Sequence, residues 1–409
     1  MPKFKLISTN KVSLLVITLI LMIIASHDNF VMTTSKWYAA KYEFNIIEWE
    51  LKNISHKWWI KLTNDSPQNL HKEVPREFSE LFCLQKEMRS LYNTLNYQVA
   101  QQVPNQEVLS RLSSSLHKMQ LSHHDLSVFV EPFLEDLVEN TLKTHHISHK
   151  IGPLNFPPVD ISFSPLPKLL VTSPRSKIVR QENILLVPAI TMPEIVALEN
   201  NITANTNLSV VVVNIGGIAT YPAIISALST MPHTLDLISH EWLHHYLAFT
   251  PLGQNMLQSH EMLEINETLA NIFGEEISMN ILSSFEEPPL SPTCKVNISS
   301  TSNSFDFNYE MAHIRRQVDH LLAQGLVEQA EVFMEEKRLY LLDQGYPIRK
   351  LNQAYFAFHG TYTDQPFAIN DTFERLLKLR KVYPTLRAFI RSVSQISSYK
   401  QFLQQTDDL

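Results

Sequence analysis

The sequence predicts an α+β fold that is predominantly helical, with a small β-sheet preceding a buried helix pair and helical regions at both the N- and C-terminal ends. Three observations predict it. Glycine is scarce, only 8 in 409 residues, which favours long helices over a loop-rich all-β chain. Lys168–Thr172, Ile184–Val187 and Ser209–Ile215 are short, β-branched runs bounded by Pro, Gly or Asn, as buried or half-buried strands are. Apolar residues at helical spacing fill most of the remaining chain.

Composition narrows the class. Hydrophobic residues are 44% and aromatic residues 10%, ample for a large core in two or three domains. Thirty-four basic against 41 acidic residues give a net charge of −7, so no nucleic-acid partner is expected, since that usually needs a basic face. Charged residues are 18%, somewhat low for a soluble protein. Two cysteines, Cys83 and Cys294, are too few for a disulfide framework. They are either one bridge made in an oxidising compartment or two separate buried thiols.

Residues 1–35 read as a membrane anchor or signal segment. Lys3, Lys5 and Lys11 precede an apolar run from Val12 to Ala25, which predicts the N-terminus inside and everything after it outside. The run is 14 residues, short of the ~20 that span hydrocarbon, but Phe30, Val31 and Met32 extend it past His27, Asp28 and Asn29. The lack of an A-x-A cleavage site favours an uncleaved, single-pass anchor with the body of the chain on the extracytoplasmic side.

Residues 36–150 form a helical N-terminal region. Trp37, Tyr38, Tyr42, Phe44, Ile46, Ile47 and Trp49 recur at close to helical spacing, and are assigned to helix core in preference to a membrane-surface contact. Residues 105–149 are expected to form two helices, ending in His145, His146 and His149, a solvated loop. Residues 151–300 are the central unit, opening at Gly152 with Pro153, Pro157, Pro158, Pro165 and Pro167. Between its strands Met192–Leu198 is expected to make one or two helical turns, and Tyr221–Leu228 a helix with Pro222 in its first turn. Helices then follow over 232–249, ended by Pro251-Leu-Gly253, and over 260–282, before a loop at 286–308. Residues 301–409 are a helical C-terminal region completing the cleft. Tyr309–Ala323 and Leu326–Leu342 form a helix pair stopped by Gly325 and Gly345, with Arg315, Arg316, Glu335, Glu336, Lys337 and Arg338 on solvated faces. After the aromatic segment Leu351–Thr363, helices over Asp371–Lys381 and Thr385–Ser394 close the chain.

The chemistry concentrates at His240-Glu-Trp-Leu-His244. A helix puts residues i and i+4 on one face, so His240 and His244 can hold one metal ion, and Glu241 projects beside that face. Leu237, Ile238, Trp242, Leu243, Tyr246 and Leu247 make this helix apolar nearly all round, hence buried. Two buried histidines and a carboxylate cost several kcal/mol unless paired or bound to metal. A buried His-Glu-His hydrogen-bond cluster is the simpler alternative. A third ligand comes from Glu267, twenty-three residues past His244, with Ala270 allowing close approach; Glu264 is the next choice, ahead of His260, Glu261, Glu275 and Glu276. Two imidazoles and one carboxylate with an open fourth position form a catalytic zinc set, one Zn2+ per chain. Glu241 would then take a proton from water, which points to hydrolysis of a peptide or amide. His245 is read as a packed or capping histidine.

His240-Glu-x-x-His244 with Asn266-Glu267-x-x-Ala270 resembles the gluzincin metallopeptidases, which include thermolysin-like enzymes and zinc aminopeptidases. The resemblance implies a zincin-like helix pair, with His240, His244 and Glu267 as zinc ligands and Glu241 as general base. More loosely, residues 37–394 resemble an uncharacterised group of membrane-anchored bacterial gluzincins with a Gly-Gly strand end and an Asn-Gln-Ala-Tyr-Phe-Ala-Phe segment. Where thermolysin-like enzymes place an acidic residue four past the ligand Glu to orient a histidine, this chain has Asn271, whose amide can still accept from an imidazole. The spacing between ligands is also slightly longer here.

A peptidase also needs a substrate edge and an oxyanion donor. Ser209–Ile215, ending in Asn214 and then Gly216-Gly217, is expected to be the strand that pairs with an extended substrate. His359, Tyr362 and Tyr355 are the candidate oxyanion donors, with aromatic core as their other reading and Arg315 or Arg316 behind them. The expectation is a zinc metallopeptidase acting on a peptide or protein substrate. Without a Gly-x-Gly-Met-Glu-Asn-like exopeptidase motif, it is expected to be an endopeptidase. The alternative is a degenerate, non-catalytic membrane protein serving as a peptide-binding or regulatory module.

Overall fold

A computed structural model describes residues 32–53, 74, 76–101, 105–147, 149–151, 154–285, 305–360 and 371–407. The chain opens with α1 (Thr34–Ala39), capped by the Thr33 hydroxyl, and α2 (46–53), where Asn45 Oδ1 accepts the Glu48 N–H. Helices α3 (Arg76–Ala100) and α4 (Gln106–Thr144) form an antiparallel hairpin closed by Phe78, Phe82 and Phe133. Cys83 on α3 is disulfide-bonded. The chain's other cysteine, Cys294, lies outside the described residues.

One long helix replaces the two expected over 105–149. Pro132 lies inside α4, yet Leu116, His123, Val130, Phe133, Leu134, Val138 and Leu142 stay buried on both sides of it. Packing of that continuous face outweighs the roughly 3 kcal/mol that an interior proline costs. Glu131 and Glu135 then tie α4 to the next segment, accepting the amides of Phe163 at 2.8 Å and Ile161 at 3.0 Å.

The hairpin β1 (His149–Ile151) and β2 (Leu154–Phe156) leads to β3 (Ile161–Ser162), β4 (Lys168–Pro174) and β5 (Glu182–Leu186). After α5 (Met192–Asn205) come β6 (Leu208–Asn214), β7 (Gly217–Ile218) and β8 (Ala223–Ile225). The strands form two small three-stranded sheets: an antiparallel one in the order β5-β4-β6, and a mixed one in the order β3-β8-β7. The fold is thus a predominantly helical α+β structure with small sheets.

Two expectations in this region are corrected. The helix starting at Met192 runs for 14 residues, because Ile195, Leu198 and Ile202 keep one apolar face and Thr191 with Glu194 close a capping box. Tyr221–Leu228 is not a helix: Ala223–Ile225 is a strand with all three residues buried, pairing with β3 on one side and β7 on the other.

The antiparallel sheet obeys the two-residue period of strands. Leu170, Val210 and Val212 face α5, while Leu169, Val171 and Val211 face Ala354 and Phe358 of a later helix. The two histidine- and glutamate-bearing helices follow, α6 (Met231–Leu247) and, after the short α7 (Pro251–Gln254), α8 (His260–Ser283). They are the centre of the largest apolar core, with α4 packed on both of them and α3 packed on α4.

Helices α9 (Phe307–Ala323) and α10 (Val327–Asp343) make the expected pair, with Gly325 and Gly345 at φ of 75° and 91° just past their ends. Their arginines do not all face solvent. Arg315 is buried, bonded to Asp319 and to the Phe356 carbonyl. Arg338 is buried too, donating to the carbonyls of Ala100 and Ile348 and to Glu335, so it clamps α3 to the C-terminal half. The last helices are α11 (Gln353–His359), α12 (Thr372–Val382), α13 (Leu386–Val393) and an unexpected α14 (Tyr399–Thr406), anchored by fully buried Phe402. Among the described residues no helix is long and apolar enough to cross a membrane; the run Val12–Ala25 lies outside them.

Candidate metal centre

Helix α6 starts with Thr230 accepting the His233 N–H and Pro232 in its first turn. Trp242 fixes its rotation. The indole stacks near Phe273 at 5.9 Å and Tyr246 at 5.8 Å, and its Nε1–H donates to the Pro157 carbonyl at 2.8 Å. Helix α8 approaches it more closely than the expectation from Ala270 alone suggests. A Cβ at Gly274 would lie 2.3 Å from Asp236 Oδ1 and 2.7 Å from the Asp236 carbonyl, so only glycine fits there.

This packing brings His240, His244 and Glu267 together, and they form the metal-compatible group of the described residues. The two Nε2 atoms are 3.0 Å apart, and Glu267 Oε2 lies 3.5 Å from His240 Nε2 and 3.7 Å from His244 Nε2. A tetrahedral shell with zinc bonds of ~2.0–2.1 Å has edges of about 3.3–3.4 Å, and the three separations straddle that length. The other carboxylates weighed as ligands are engaged elsewhere or exposed. Glu264 pairs with His260 at 3.1 Å, Glu276 is held bidentately by Arg380, and Glu275 is exposed.

The site is strongly polarised. Burial disfavours an imidazolium at His240, but the Glu267 hydrogen bond and the charges of Glu241, Glu267 and Asp236 outweigh it and raise its pKa to about 9. Burial pushes His244 down to about 4. Glu267 stays ionised, near 2, because His244, His240 and then Arg180 overcome the effect of burial. Glu241 is raised to about 7, first by burial and then by the Glu267 charge, against the pull of His240.

Glu241 faces a strand. A Cβ at Gly217 would sit 2.4 Å from Glu241 Oε1, and a Cβ at Gly216 would touch Leu237 one turn earlier. Gly217 and Ile218 are β7, at the edge of the mixed sheet. His245, read as a packed or capping histidine, contacts the Thr220 carbonyl at 3.0 Å through Nε2, tying α6 to the β7–β8 connection. The strand expected to carry substrate, Ser209–Ile215, corresponds to β6, at an edge of the antiparallel sheet. Asn214 is tethered there by Lys168 Nζ and by Tyr92, because its side chain leaves the sheet on the α3 side.

The remaining expectations fare differently. Asn271 is half-buried and among the described residues bonds neither His240 nor His244. The amide facing His244 is that of Asn266, wholly buried; it is near enough to raise the His244 pKa, though neither its Nδ2 nor its Oδ1 reaches a partner with good hydrogen-bond geometry. His359 is half-buried at the end of α11, its ring 4.2 Å from that of Tyr355 and its pKa pushed down to about 4 by burial. Tyr362 lies outside the described residues. The sequence reading missed Arg180. Its guanidinium stands over the Phe358 ring at 5.4 Å, bonds Asn183, and reaches Glu267 electrostatically. Nothing in its local sequence marks it, since a turn between β4 and β5 places it. Comparison with protein-family models, curated proteins and solved structures gives no match to this chain.

Proposed function

We propose that this chain is a zinc-dependent peptidase of gluzincin type, exported and anchored at a membrane by its N-terminal segment. The observation that carries the reading is the convergence of His240 Nε2, His244 Nε2 and Glu267 Oε2 within 3.7 Å of one another, with Glu241 alongside. Two imidazoles and a carboxylate leave a coordination position open, the donor set of hydrolytic rather than structural zinc. When bound, zinc supplies Lewis acidity toward a carbonyl and toward water.

The chain's own residues would do the rest. Glu241, poised near neutrality, takes the proton of the attacking water and returns it to the departing amine nitrogen. Gly217 keeps that carboxylate against β7, whose backbone N–H and C=O groups can pair with an extended peptide. Arg180, whose charge acts on Glu267, would offset negative charge on the substrate carbonyl, with the neutral ring N–H of His359 as the alternative donor. Export is supported by the disulfide at Cys83, since disulfides persist in oxidising compartments, and by Lys3, Lys5 and Lys11 ahead of Val12–Ala25.

The test is metal analysis of the purified chain together with cleavage of casein and a peptide library. About one zinc per chain, phenanthroline-sensitive cleavage, and loss of cleavage with zinc retained in Glu241→Gln are expected. Stoichiometric zinc without cleavage would support the binding-module alternative. A metal-free protein indifferent to chelators would overturn the reading.

A further inference from the structure

The first described segment leaves large apolar side chains on the surface. Met32 is 54% exposed, Trp37 63%, Ile47 42% and Leu51 61%. Ile47 and Leu51 are one turn apart on α2 and share a face. The expected helix core is built differently: Ala39 is buried and Tyr38 and Tyr42 pack toward Leu186 and Ile195, while Trp37 turns outward.

The segment is fixed to the body of the protein. The Val187 N–H donates to the Tyr42 carbonyl at 2.7 Å, and the Phe44 N–H to the Leu185 carbonyl at 2.8 Å. Glu50 Oε1 accepts the Tyr221 N–H at 3.0 Å. Tyr221 belongs to the connection leaving β7, the strand beside Glu241, so α2 braces one wall of the candidate site. On the other side, Met32 is seven residues from the end of the apolar run Val12–Ala25. Seven residues span at most about 24 Å, so Met32, where the described chain begins, lies within that reach of any bilayer that holds the run. Tryptophan with neighbouring aliphatic residues suits the headgroup region, where an amphipathic ring is half wet and half dry.

We propose that Met32, Trp37, Ile47 and Leu51 form a collar seated in the interfacial layer of a lipid bilayer. It holds the β7–β8 wall near the membrane, so that the substrates are extended peptide segments lying close to the membrane surface. The collar stands on the exposed side chains and the anchor sequence; the substrate class rests on the peptidase reading.

The experiment uses the full chain in vesicles of phosphatidylcholine and phosphatidylglycerol. Nitroxide labels are placed at Trp37→Cys, Ile47→Cys and Leu51→Cys, with Tyr309→Cys and Val332→Cys as references and the unsubstituted chain as labelling background. Collar labels should be more accessible to oxygen than to a water-soluble nickel chelate, and reference labels the reverse. Collar labels that match the references overturn the collar. A triple variant, Trp37→Ser with Ile47→Ser and Leu51→Ser, should cleave a soluble peptide at the unsubstituted rate. It should cleave the same peptide tethered to a vesicle lipid roughly tenfold more slowly. Equal rates on tethered peptide overturn the substrate class. If no variant cleaves anything, the peptidase reading fails while the label depths still decide the collar.

Discussion

Gly217 and Glu241 occupy adjoining space with no room for a methyl group: a Cβ on Gly217 would stand 2.4 Å from the Glu241 carboxylate oxygen and 3.0 Å from its Cδ and Cγ. Gly217→Ala should therefore displace Glu241 and little else, because Gly217 is only half-buried on an edge strand. A misplacement of this kind at a reacting group costs on the order of 100-fold in rate. Cleavage assays should show that fall in kcat with zinc content and Tm near those of the unsubstituted chain; an unchanged kcat would separate Glu241 from the chemistry.

Glu267 and Glu264 are one turn apart on α8, and the structure assigns them different partners, the histidine pair and His260 respectively. Glu267→Gln should lose bound zinc at least tenfold more readily in a chelator competition, since a neutral amide is a poor substitute for the carboxylate. Glu264→Gln should hold zinc as the unsubstituted chain does. The reverse ranking would move the third ligand to Glu264.

His123 is buried between α3 and α4 beside Gln85, 2.9 Å from its Nε2, and burial lowers its pKa from 6.5 to about 4. The unfolded chain therefore binds a proton at this position that the folded chain refuses between those two values. Stability is full above pH 6.5 and declines as pH falls toward 4, by up to about 3 kcal/mol from this group. Urea unfolding of the unsubstituted chain and of His123→Gln at pH 7.5 and pH 4.5 measures it: the variant should lose less on acidification. An identical acid loss in both would refute the assignment.

Glu199, buried on α5, accepts from the Val212 amide at 2.7 Å and from the Arg349 guanidinium, with Lys350 beside it. Glu199→Gln leaves Arg349 half-desolvated without its counter-charge and should destabilise the fold by about 3–5 kcal/mol. A thermal shift below about 2 °C would contradict this, since 1 kcal/mol moves the Tm of even a large domain by that much.

Much of the centre was legible because it obeys local rules. The approximate bounds of α6 and α8 follow from apolar runs, i, i+4 spacing and the Pro251-Leu-Gly253 stop, and the grouping of Glu267 with the two histidines follows from which face of α8 is small. The errors have non-local causes. Ala223–Ile225 became a strand because β3, some sixty residues earlier in the chain, supplies its partner. Pro132 was tolerated because a continuous apolar face outweighed it. Arg315 and Arg338 were buried by carbonyl acceptors at Phe356, Ala100 and Ile348, which no sequence window contains. Arg180 reaches Glu267 only because a turn folds back over α11.

Trp242 has a consequence for timing. It sits between His240 and His244 in sequence, yet its ring is locked by Phe273, Tyr246 and the Pro157 carbonyl within the largest apolar cluster. The amides of that turn should thus exchange with deuterium only when the whole molecule opens. On the proposed zinc reading, the cage is assembled before any ion arrives. Uptake would be a diffusional event into a rigid receptor, with kinetics indifferent to the slow steps of folding.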